Sequence, residues 1–318
     1  MTYRTGIAQS FTDVRDAIVS AASDAGWTNH GGGALWRPGC AVKLTDTGTH
    51  LNLLGGTDFA NGDLVSPAPN VVRMGTLMEN SVATPIAFPA LYDVMAFPEE
   101  VYCFINHNVL EYQYLAFGQG NVPGLPGTGA WVSGTLYYNS YSGPAGGFTG
   151  MYSFALGPTS GGAITPGSWQ TIRSSGAIFA DQGNYSVSTH AGQICGSFVH
   201  HGLTDAVANP WSLGDILFGQ GPLAPLLEQQ PSNWNEGAAL LPLRAYLPRP
   251  GGFMSLVADL RYARNVRIDN LDPKAVYNLG TDRWKIFPWV KKELAARNGG
   301  GNINHSGTLG VAICYDGP

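Results

Sequence analysis

One stretch narrows the fold more than any other: residues 264–289, RNVRIDNLDPKAVYNLGTDRWKIFPW. Apolar and polar residues alternate there across two tight turns, Asp272-Pro273 and Gly280-Thr281-Asp282. A period of two places successive side chains on opposite faces of a strand, and turn residues between such runs reverse the chain. Three strands are predicted: one through Val266 and Ile268, a second over 275–279 and a third over 284–287. In the third, Arg283 and Lys285 share one face and Trp284 and Ile286 the other. That predicts a half-buried strand with one face packed and one open to neighbours.

The rest of the chain fits the same architecture. Gly 43 and Pro 21 are high for 318 residues, and charged residues make up 12%, about half the usual share. With 44% hydrophobic content the chain can build a large core, which a disordered chain cannot. Many short strands joined by Gly/Pro turns follow, and so little charge suits a surface partly covered by partners. A net charge of −5 argues against a nucleic-acid surface. No apolar run is long enough to span a membrane, so membrane insertion is not expected. The opening MTYRTGIAQS lacks the apolar centre of a signal peptide, and export by that route is not expected. Cys40, Cys103, Cys195 and Cys314 stand far apart with no CxxC spacing, which predicts buried free thiols in a reducing compartment.

Along the chain, residues 10–25 form the clearest helix. Ser10 and Asp13 fit a capping box, and Val14, Ala17, Ile18, Ala21 and Ala22 line one face. Gly26 supplies the left-handed stop, letting Trp27 fold back on the last turn. Runs at 34–36, 40–45 and 50–54 read as an antiparallel meander. Residues 97–118, FPEEVYCFINHNVLEYQYLAFG, read as a hairpin turning at His107-Asn108. Val101, Cys103 and Ile105 fall on one face and Tyr102, Phe104 and Asn106 on the other, so this hairpin is predicted to be central and covered on both sides. From Gly118 the composition shifts to Gly, Pro, Ser and aromatics. Residues 238–249 (AALLPLRAYLPR) and 253–260 return to strand, and 308–314 (TLGVAIC) read as a buried last strand. The predicted fold is mainly β, with β-sandwich-like antiparallel sheets, a short N-terminal helix packed on a sheet and a Gly/aromatic-rich insertion. The divisions are 1–118 (helix plus β framework), 119–235 (insertion or subdomain) and 236–318 (strands completing the framework).

The sequence carries no G-x-S-x-G elbow, P-loop, H-E-x-x-H or dinucleotide fingerprint, and no catalytic, cofactor-binding or metal-ligating residue is assigned. His200 and His201 are adjacent, so in a strand they point to opposite faces and do not readily share one metal, which leaves a site built from His190 and one of the pair as the metal alternative. His107 reads as a solvated turn residue. Glu99, Glu100 and Glu111 flank one hairpin, and glycan hydrolysis would need two such carboxylates about 5–10 Å apart in a cleft. Acidic residues beside a hairpin more often solvate strand ends. Trp131, Tyr137, Tyr138, Tyr141 and Tyr152 can stack on a glycan or a protein partner, or fill the core of their own excursion.

The helix stop Ala25-Gly26-Trp27, the hairpin EVYCFINHNVLEYQYLAFGQ, the stretch NLDPKAVYNLGTDRWKIFPW and the terminal SGTLGVAICYDGP together resemble tail-region virion proteins of tailed bacteriophages. These pieces cover about a third of the chain, at both ends and around residue 100, and carry no active-site pattern. The resemblance implies a structural, non-enzymatic component of the tail or baseplate. It would be assembled in the host cytoplasm and held by interfaces with copies of itself and other tail proteins. A receptor- or carbohydrate-binding protein of the tail tip, touching a host surface receptor, is the alternative, with glycan hydrolysis a distant third.

Overall fold

The computed structural model describes residues 1–79, 82–137, 178, 197–203, 210–213, 239–249, 251, 253–268, 270–279, 281–289, 292 and 309–317. These hold twenty-two strands, β1–β22 in chain order, and one helix, α1 (Phe11–Asp24). The protein is mainly β, with several antiparallel sheets and one short helix.

A seven-stranded sheet occupies the middle. Its order is β1 (Thr2–Ala8), β11 (Ala90–Ala96), β12 (Glu100–Asn108), β13 (Glu111–Gln119), β14 (Ala130–Gly134), β16 (Ser197–His200) and β17 (Trp211–Leu213). Three of these strands come from residues 119–235, so that stretch contributes to the central framework. A six-stranded sheet follows the order β15 (Leu136–Tyr137), β8 (Val72–Met74), β5 (Leu51–Gly56), β4 (Cys40–Asp46), β3 (Ala34–Arg37) and β2 (Thr28–Gly31). A five-stranded C-terminal sheet runs β18 (Leu241–Arg249), β19 (Phe253–Arg267), β22 (Leu309–Cys314), β21 (Asp282–Pro288) and β20 (Val276–Leu279). Two ribbons complete the set: β6 (Asp58–Ala60) with β7 (Asp63–Val65), and β9 (Thr76–Glu79) with β10 (Val82–Pro85).

Helix α1 forms as its sequence dictates. The Ser10 hydroxyl accepts the N–H of Asp13 at 3.2 Å, and the Asp13 carboxylate accepts the N–H of Gln9 at 2.6 Å. At the other end Trp27 N–H donates to Ala22 and Gly26 N–H to Ser23, with Gly26 at φ +97°, the paired bonds of a Schellman stop. The stop aims Trp27 into the core. There its ring meets Phe117 of β13 edge-on at 5.2 Å and its indole N–H donates to the Phe97 carbonyl.

The β12–β13 hairpin is covered on both sides, as its alternation predicts. Val101, Cys103, Ile105, Leu115 and Phe117 pack with α1 and with Leu35, Val42, Leu44, Leu51 and Leu53 of the six-stranded sheet. Tyr102, Phe104, Tyr112 and Tyr114 pack with Phe287, Trp289, Val311 and Ile313 of the C-terminal sheet. The reversal falls two residues later than His107-Asn108. The register shifts between Asn106 and Asn108, and the turn is made at Val109 and Leu110. Asn106 explains the shift, because its side-chain amide donates to the Glu111 carbonyl at 2.9 Å and draws the strands past His107. The His107 side chain is therefore buried, its imidazole 4.0 Å from Glu111, and burial lowers its pKa below the ordinary value.

The C-terminal strands fall where the alternation places them, but their faces differ from the expectation. Lys285 is buried, and Phe287 beyond it stacks on Phe104 at 4.1 Å and 3°. Trp284 and Ile286 sit in a separate apolar cluster with Val266, Ile268 and Leu271. Both faces of β21 are packed, because the face carrying Lys285 lies against the central sheet.

Candidate functional site

Two buried polar clusters among the described residues lie between the central and C-terminal sheets. The first is built on Glu100, the opening residue of β12. Strand β19 carries surplus residues against β18: Arg244 pairs with Asp259, but Pro242 pairs with Arg264. Such a bulge leaves backbone N–H groups off the ladder, and buried ones must find partners. Glu100 supplies them. Its carboxylate accepts the N–H of Arg261 at 2.8 Å and of Tyr262 at 3.1 Å, and also the Tyr102 hydroxyl at 2.6 Å. Glu99 alongside accepts the Tyr262 hydroxyl at 3.0 Å, while the Tyr262 ring stacks on Phe97 at 4.0 Å. Complete burial pushes the Glu100 carboxyl up to about 7, against the pull of its three donors and of Arg264.

The second cluster is built on Asp93 of β11, which is 2% exposed. Lys274 reaches one carboxylate oxygen at 2.8 Å and Lys285 the other at 3.2 Å. The Tyr3 hydroxyl donates to the same carboxylate and accepts from Lys285. Burial, then the Asp93 charge, drives the Tyr3 phenol well above its ordinary pKa. The Lys285 ammonium also lies 4.4 Å from the Tyr3 ring centre and 5.1 Å from that of Tyr315, within cation–π range. Lys274 is delivered by the 272–275 turn, where it adopts φ +65° and its N–H donates to Ile286. A left-handed lysine is uncommon, and here the conformation aims the ammonium at Asp93.

Residues singled out from sequence take different places. Trp131 is completely buried in β14, its ring 6.1 Å from Tyr102, so it serves the core. Tyr137 lies in β15 opposite Val72, and Tyr138, Tyr141 and Tyr152 fall outside the described residues. Glu100 and Glu111 stand at opposite ends of the hairpin, roughly 26 Å apart for eight residues of strand. That distance is far beyond the separation of a glycosidase pair. His200 and His201 serve separate loops: the first accepts from Thr128 N–H at 3.0 Å, the second from Leu203 N–H at 2.9 Å. His190 lies outside the described residues, and no group of metal-ligating side chains occurs among those that are described. Cys40 and Cys103 are buried free thiols, burial pushing Cys40 up to about 12; Cys314 is free and half-buried, and Cys195 is outside the described residues.

Asp93 and Lys285 were not singled out as functional from sequence. The signal was present, since each is a lone charge inside an apolar run, LYDVMAF and WKIF. Such a charge in a covered strand demands a buried partner. Both clusters offer carboxylates already satisfied by protein donors, which is the chemistry of a clamp between sheets.

No model of a known protein family matches the chain, and no curated protein is found to be similar to it. No helix among the described residues is long and apolar enough to cross a membrane.

Proposed function

We propose that this chain is a structural subunit of a tailed-bacteriophage virion, in the tail or baseplate region, acting through interfaces with copies of itself and with other tail proteins. The observation that carries the reading is the convergence of the segments on which the resemblance rests. The Ala25-Gly26-Trp27 stop docks on the hairpin through Trp27 and Phe117, and the hairpin docks on the C-terminal strands through Phe104 and Phe287. Pieces scattered over the sequence thus meet in one core, and the reading takes the central and C-terminal sheets as the two layers of a β-sandwich. Two buried polar clamps across that stack suit a part that transmits load without changing shape. The function is mechanical, and no catalytic residue is assigned.

A receptor- or carbohydrate-binding role at the tail tip is the second reading, and it loses Trp131 from its proposed contact set to the core. Mass spectrometry of purified particles tests the main reading. The chain is expected in particles at a fixed stoichiometry with other tail proteins, and its absence from them overturns the assignment.

A further inference from the structure

Strand β1 stands at the edge of the central sheet, and among the described residues no strand pairs with its outer side. Natural edge strands are commonly protected by prolines, bulges, charged side chains or short length. β1 pairs with β11 in unbroken register over all seven residues and contains no proline, and its one charge, Arg4, is bound to Asp24 of α1. Its interior side is fixed, because the Asp93 clamp holds Tyr3. Beside the edge, Ile7 is 62% exposed and its cross-strand partner Leu91 is 43% exposed. Among the described residues, then, an exposed apolar pair stands beside an unpaired strand edge, a surface that a further strand fits.

We infer that the strand that joins is β1 of a second copy, antiparallel about a two-fold axis at Thr5. The inference deepens the assembly reading and rests on it for the presence of neighbouring copies. Its warrant is self-complementarity. With Thr5 facing Thr5 of the partner, Tyr3 meets the partner's Ile7 on one face of the joined sheet, and Ile7 meets the partner's Tyr3. Aromatic–β-branched and Thr–Thr pairs are among the stabilising cross-strand combinations. The exposed Ile7 is thereby covered. On the other face Arg4 crosses Gly6 of the partner, which offers no side chain to clash. The space above Gly6 is taken by Tyr92, whose hydroxyl lies 2.8 Å from where a Cβ would sit. The arginine therefore arrives on an aromatic ring, a favourable cation–π position. A one-residue slip in this pairing would carry Ile7 away from Tyr3 and set Arg4 against a Thr5 side chain.

Sedimentation equilibrium of the purified full chain, with Thr5→Lys and Ile7→Lys variants, tests this. The parent is expected to form a concentration-dependent dimer. Thr5→Lys, which opposes two ammonium groups at the axis while facing Asp93 within its own chain without repulsion, is expected to weaken it by about tenfold or more with the circular dichroism spectrum unchanged. Ile7→Lys gives the same result by an independent route should either variant fold poorly. Thr5→Cys is expected to cross-link to itself under mild oxidation, whereas Arg4→Cys and the parent do not. A monomeric parent, or a dimer indifferent to both variants and without the Thr5→Cys cross-link, overturns the inference. If the chain is nevertheless found in purified particles, the assembly reading survives and only the surface is wrong.

Discussion

The two faces of the central sheet are held by different physics. Toward α1 and the six-stranded sheet the contact is apolar and mainly aliphatic, with Val101, Cys103 and Ile105 against Val14, Ile18, Leu44 and Leu53, and Trp27 meeting Phe117 at its margin. Toward the C-terminal sheet it is aromatic and punctuated by buried polar groups: the Phe104–Phe287 stack, the Glu100 clamp and the Asp93 clamp. A short relay of hydroxyls, Tyr114 to Ser133 to Ser197, adds to the polar character of that side. Aliphatic packing scales with buried area and has no preferred direction. Hydrogen-bonded ions are costly when misplaced and so admit one arrangement. The first face supplies cohesion; the second fixes where the C-terminal sheet sits.

That contrast can be broken most sharply at Asp93. Asp93→Ala leaves two lysines, one of them buried, without their counter-charge, and chemical denaturation is expected to show a loss of ~3–5 kcal/mol. A loss below ~1 kcal/mol would mean the clamp contributes no more than a surface pair. Next comes Glu100→Ala, which orphans the N–H groups of Arg261 and Tyr262 and the Tyr102 hydroxyl. The expected cost is about 2–4 kcal/mol by the same measurement, partly offset by removing a buried carboxylate.

The Glu100 clamp also makes the second face sensitive to pH. Its carboxyl titrates near 7 in the folded protein, above its ordinary range, so the folded state holds that proton more tightly than the unfolded chain. This contribution is complete below the ordinary carboxylate range and is lost as pH rises through about 7. Melting temperatures measured between pH 5 and 8 should fall toward the alkaline end, and Glu100→Gln should flatten that slope. An unchanged slope in the variant would assign the pH dependence to other groups. On the aliphatic face the smallest effect is expected: Ile18→Val trims one methyl group and should cost about 1 kcal/mol with no change in pH behaviour.

Much of the scaffold was legible beforehand because its signals are local. Ser10 and Gly26 bound the helix through hydrogen bonds made within one turn of their own positions, and the alternation of residues 101–105 declared two covered faces. The free face assigned to Arg283 and Lys285 was misread for a reason equally physical. Alternation separates polar from apolar sides, but a lysine looks the same whether it meets water or a buried carboxylate. Trp131 shows the converse. An aromatic residue in a glycine-rich setting looks like a contact surface, yet pairing of β14 with β13 and β16 draws it into the core.

By itself, then, the sequence determined the helix with its caps, the C-terminal strands and the central place of the β12–β13 hairpin, since these depend on period, turn chemistry and neighbours along the chain; β1 and β11 were not read from it. Only the tertiary structure decided that Glu100 would satisfy the bulge at Arg261 and Tyr262, and that Asp93 would meet Lys274 and Lys285. Those partners lie far apart in sequence, and no local preference records them. They are chosen when two sheets close over one another and every buried donor and charge must find its complement.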